Sequence, residues 1–222
     1  MAANLQDAAP SETPVTTRQR LHLLNRAYPK LFPRAEIIGL LRAQLGHLDA
    51  LDRWTEGEDG SRVRARAPRL IYHICAGNLA VSAWTSLAHG LLLGAQNVLK
   101  LPGDKDEGGR PAETVRREIL GFIRGLPAPL RKLVKTHRAL DPAVLARAEA
   151  VIAFGSDAAM NSLRAQTHRD QKFITHGHAL SLLWLGEPDR LTPNSRVTNG
   201  RALSETSSGV TPRAASSRSI AG

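Results

Sequence analysis

Residues 69–102, RLIYHICAGNLAVSAWTSLAHGLLLGAQNVLKLP, constrain the fold more than any other part of the chain. Leu70–Ile74 is a short apolar run suited to a buried strand. Ala76-Gly77-Asn78 breaks that run. Residues 79–93 then hold only small and apolar side chains apart from Ser82, Thr85, Ser86 and His89, which predicts a largely buried helix. Residues 94–97 stop the helix, and residues 98–101 open a second strand that ends at Pro102-Gly103. A helix between two short apolar strands implies a right-handed crossover and a parallel sheet, hence an α/β fold. Ligands of such sheets sit beyond the carboxyl ends of the strands. Here those ends carry Gly77-Asn78 and Lys100.

The flanking sequence extends the pattern. Residues 18–28 suit a short helix. Residues 34–54 suit a longer one, with Ile37, Ile38, Leu41, Leu45, Leu48 and Leu51 at helical spacing behind Pro33. Residues 56–60 read as a turn. Pro111 opens a helix through about residue 124, with Val115, Ile119, Phe122 and Ile123 on one side. Residues 130–134 fit a strand or a helix equally. Residues 142–148 suit a short helix and 151–154 a buried strand. Gly155-Ser156-Asp157 turns into a helix over 158–165. Residues 173–175 and 180–185 form one bent strand or two. Residues 1–17 are polar and aperiodic and are expected to be disordered, leaving one domain over 18–188. Residues 189–222 are Ser-, Thr- and Arg-rich without a lysine, and are read as a disordered tail.

Composition excludes several classes. The formal charge is +10, but the arginines are scattered over every segment, without the clustering and interleaved aromatics of a nucleic-acid footprint. Nucleic acid is therefore not the expected partner. The single cysteine, Cys75, rules out an internal disulfide framework and fits a reducing cytoplasm. No signal peptide is evident. The longest apolar stretch, 79–93, is shorter than the ~18–20 residues of a membrane span, so no span is expected.

Five places invite chemistry, each with an ordinary alternative. Asn78 could cap the following helix. Lys100 could be a solvated strand-end lysine. Gly155 allows close backbone approach at a helix start, where N–H groups bind phosphate, and Ser156 or Asp157 could be a plain cap. His176 and His178, two apart on a strand, face one side, but no third ligand accompanies them and no metal is expected. Cys75 lies inside a strand, where burial raises the pKa and leaves a thiol inert.

The segments IYHICAGNLA, NVLKLPG, AVIAFGSDAAMNSL and KFITHGHALSLLWL occur in an order that resembles the nucleotide-binding half of the long-chain acyl-CoA reductases, the LuxC family. That family is similar to the aldehyde dehydrogenase superfamily. The resemblance covers roughly residues 20–188. It implies a Rossmann-like parallel sheet flanked by helices and NADPH-dependent reduction of a fatty acyl-CoA to an aldehyde through a cysteine thioester. It also implies roles. Asn78 would donate to the oxyanion, Lys100 would contact the adenosine ribose or its 2′-phosphate, and Gly155 and Ser156 would lie against the cofactor. The His176-Gly177-His178 region would form part of the site wall. The family's catalytic cysteine lies in a downstream region that this chain lacks, and Cys75 does not match it. The expectation is a cytoplasmic, truncated and inactive reductase fragment, its tail from a shifted reading frame, with homo-oligomerisation open. The alternative is a non-catalytic module for a dinucleotide or an anionic partner.

Overall fold

A computed structural model describes residues 15–57, 59–103 and 111–177. All of them belong to the first of the two compact units into which the chain divides, Met1–His178 and Ala179–Gly222. The strand expected over 180–185, the tail over 189–222 and His178 lie outside the described residues.

Helix α1, Thr17–Ala27, starts one residue ahead of expectation because Thr16 and Gln19 form a reciprocal capping box. Helix α2, Arg34–Leu45, is shorter than expected. It stops at Gly46, whose φ of 72° suits glycine, and residues 46–53 form turns instead of continuing to Trp54. Asp49 fixes those turns by accepting from Arg18 at 2.5 Å and Arg53 at 2.7 Å. Those two guanidiniums hold its carboxyl down at about 2. The turns still bury Leu48, which is why the apolar spacing imitates a helix there. A small antiparallel hairpin follows, β1 (Thr55–Glu56) and β2 (Arg62–Val63).

The central unit is β3 (Leu70–Ile74), α3 (Ala80–Leu93) and β4 (Gln96–Lys100). Next come α4 (Ala112–Gly125), the single turn α5 (Ala128–Arg131) and β5 (Val134–His137), so the ambiguous stretch is a helical turn running into a strand. The rest is α6 (Pro142–Arg147), β6 (Ala150–Phe154), α7 (Asp157–Arg164) and β7 (Lys172–His176). Strands β3 to β7 form one parallel sheet in the order β5-β4-β3-β6-β7. The chain steps outward from β3 through β4 and β5, then returns to the other side of β3 with β6. The strand order therefore reverses between β3 and β6, where α/β sheets open a crevice.

Side chains alternate across the sheet into two cores. Cys75, Leu99 and Leu101 face α1 to α4, whereas Tyr72, Ile74, Val98, Val151 and Ala153 face α6 and α7. Helix α3 lies under the first core, with Leu87 and Leu91 fully buried. Its N-cap residue, Leu79, offers no side-chain hydrogen bond. A cap is worth about 1 kcal/mol and a buried leucine about 2, so packing anchors this helix.

One polar cluster interrupts the apolar layer between α3 and the sheet. His73 is wholly buried, with Nδ1 2.7 Å from Ser86 Oγ and Nε2 3.0 Å from Asn97 Oδ1. An amide oxygen only accepts, so Nε2 carries the proton and Ser86 donates to Nδ1. Asn97 Nδ2 donates to the Ala95 carbonyl at 2.7 Å. Burial pushes the His73 pKa down to about 4, against a smaller opposing effect of the Asn97 bond, so the ring is neutral. Gly90 makes room for this, since a Cβ there would stand 1.9 Å from Asn97 Oδ1.

Candidate functional site

A cleft of about 940 Å³ opens at the carboxyl ends of β3, β4, β6 and β7. Register explains the convergence, because Ile74 pairs with both Lys100 and Ala153, so the three strands end at one level. Asn78, Lys100, Gly155 and Ser156 all line this cleft. Four positions spread along the sequence are thereby brought to one rim.

Asn78 does not cap α3. The cap position belongs to Leu79, in extended conformation, and Ser82 Oγ donates to the Leu79 carbonyl at 2.9 Å. Asn78 is exposed, and its amide makes no hydrogen bond to any described residue. Lys100 is half-buried on the second strand end and makes no ion pair among the described residues. Its ammonium is therefore available to an anion in the cleft.

Gly155 has a φ of 157°, and a Cβ there would meet Met160 Cε at 3.2 Å, so the turn from β6 into α7 is built for glycine. Ser156 is the N-cap of α7, its Oγ accepting from the Ala159 N–H at 3.4 Å. The ordinary alternative for Ser156 is thus realised, and the turn still presents the helix N-terminus to the cleft.

Part of the wall beside this turn is aromatic. Phe154 and His176, register partners on β6 and β7, stack with centroids 4.6 Å apart and planes at 10°. Sequence reading considered His176 only with His178 and missed this pair, although Phe154 and His176 each end a strand. Among the described residues no three His, Cys, Asp or Glu side chains are grouped to hold a metal.

Cys75 borders the cleft but is 4% exposed, and its N–H donates to the Lys100 carbonyl at 3.0 Å. Burial pushes its thiol up to about 12, with a smaller downward pull from Lys100. His73 cannot serve as its base, because both ring nitrogens are engaged elsewhere. At neutral pH Cys75 is no nucleophile.

Among the described residues no helix is long and apolar enough to cross a membrane. A family model described as acyl-CoA reductase (LuxC) matches residues 5–202. The match runs beyond residue 188, where the sequence reading ends the domain. No curated protein matches the chain.

Proposed function

The chain belongs to the acyl-CoA reductase (LuxC) family, and we propose that its cleft binds NADPH for the reduction of a fatty acyl-CoA to an aldehyde. The observation that carries this reading is the meeting of Asn78, Lys100 and the Gly155-Ser156 turn in one crevice at the strand-order reversal. The residues present fit such a ligand. The cleft volume, about 940 Å³, lies at the upper end of small-molecule sites. The α7 N-terminus behind a glycine turn suits a pyrophosphate. The Lys100 ammonium, with no ion pair among the described residues, suits the 2′-phosphate that distinguishes NADPH from NADH.

When bound, the nicotinamide supplies a hydride. The protein's own part is to hold and polarise. Asn78, with its amide uncommitted among the described residues, is the group to donate to the carbonyl oxygen as negative charge develops there. A preorganised donor of this kind is worth about 2.7–4 kcal/mol in the transition state. The thioester step needs a thiolate, and the one cysteine of this chain is buried with a raised pKa. The described residues thus supply the cofactor and oxyanion side of the reaction, and Cys75 does not supply its thiolate.

The test is a fluorescence titration with NADPH. Wild-type protein is expected to bind, and Lys100→Ala to raise the Kd about tenfold. A long-chain acyl-CoA is expected not to be consumed. Equal affinity of the two proteins overturns the role of Lys100. Turnover that disappears in Cys75→Ala overturns the account of the cysteine. Salt-sensitive binding of a polyanion without affinity for either dinucleotide replaces this reading with an anionic-partner module.

A further inference from the structure

Arg116 is a buried charged side chain bonded to two residues of the cleft wall. It sits on the second turn of α4, 7% exposed, where a guanidinium is costly unless its donors are used. Nη1 donates to the Pro102 carbonyl at 3.2 Å and to the Gly103 carbonyl, while Nε and Nη2 hold Glu113 at 3.1 and 2.6 Å. Those two carbonyls lie just past the end of the sheet ladder. The last ladder bond on that side runs from the Leu101 N–H to His137 O at 2.8 Å, and Pro102 has no N–H to continue it. Pro102 and Gly103 both line the cleft, two and three residues after Lys100. The arginine takes over where strand pairing ends.

We infer that Arg116 is a positioning residue: by gripping two successive carbonyls from behind, it sets the path of the cleft wall that follows Lys100. The inference rests on the cofactor reading above. A lysine cannot replace it fully, since a single ammonium does not span two carbonyls and a carboxylate in the planar geometry of a guanidinium.

Arg20 on α1 supplies a matched control. It is 8% exposed and also donates to carbonyls, those of Leu92 and Val15, but away from the cleft. The experiment compares Arg116→Met, Arg116→Lys and Arg20→Met by NADPH titration and by amide hydrogen exchange of the ligand-free protein. Arg116→Met is expected to raise the Kd about tenfold, a loss of about 1.4 kcal/mol, and to speed exchange at Leu101, whose N–H makes the last ladder bond before the gripped carbonyls. Arg116→Lys is expected to recover part of both effects. Arg20→Met is expected to lower the melting temperature while leaving Kd and the Leu101 amide unchanged. Binding lost no more in Arg116→Met than in Arg20→Met, with Leu101 exchange unaltered, overturns the inference. Wild-type protein that binds neither NADPH nor NADH overturns the cofactor reading, and the inference with it. The two failures are distinct, because the first requires wild-type binding.

Discussion

Asn97 and Asn78 belong to the same strand–helix–strand unit, and the fold treats them in opposite ways. Asn97 is 1% exposed, and its amide reaches His73 on one side and the Ala95 carbonyl on the other. Asn78, at the far end of α3, is exposed and makes no hydrogen bond to a described residue. A buried amide without partners costs about 1–3 kcal/mol, so the first must be paired for the chain to fold at all. The second bears no such demand. One residue type thus fastens a helix to a sheet in the interior and stands uncommitted at the crevice. Its pairing, more than its identity, separates the structural position from the one proposed to act on a ligand.

Three measurements sharpen or break that contrast. The largest effect is expected from His73→Leu, which strands Ser86 Oγ and Asn97 Oδ1 in the interior. Two orphaned groups amount to about 4 kcal/mol, read as a lower denaturant midpoint. A variant as stable as wild type would mean that the buried cluster is dispensable.

Next in size is pH dependence. His73 titrates near 6.5 when unfolded and at about 4 when folded. Between those values the unfolded chain holds a proton that the folded one does not, so stability falls as pH drops through that window. The loss attributable to His73 is about 3 kcal/mol. Partial burial displaces His89 in the same sense, so the signature is the difference in slope between wild type and His73→Leu. Asp49, with a carboxyl held at about 2, loses its contribution only below the ordinary carboxylate range, under the His73 window. Parallel pH curves for the two proteins would contradict a neutral buried imidazole.

The smallest effect is expected from Asn78→Ala, under about 0.5 kcal/mol in stability, as for an exposed side chain without partners. A larger loss would show that Asn78 is a structural residue after all.

The centre of the sheet was readable because β3, β4 and β6 are short apolar runs closed by glycine or proline, and β3, α3 and β4 fall within two residues of expectation, whereas the edge strand β5 is largely polar and its start stayed open between strand and helix. The end of α2 was not, because Leu48 is buried by turns pinned through Asp49, and apolar spacing does not distinguish a turn from a helix. The cleft residues could be proposed from strand ends alone, since a parallel sheet gathers its carboxyl ends whatever the details. The cluster of His73, Ser86 and Asn97 is a different matter. Three polar residues stand in an otherwise apolar unit, a signal in hindsight, but their meeting depends on register and on how closely the helix approaches. Arg116 showed at most an ordinary i,i+3 helix pair with Glu113, because the partners that place it behind the cleft are backbone carbonyls, which every residue has.

Gly90 gives that close approach a mechanical meaning. Because the helix rests there directly on the Asn97 amide, the glycine acts as the bearing on which a rigid rod is seated. The rod's other end, about 15 Å away at 1.5 Å per residue, leads into Leu79 and Asn78 at the crevice. A methyl group at the bearing would lift the rod, and the tilt would be felt at its tip, making a residue remote from any ligand a determinant of the crevice's width.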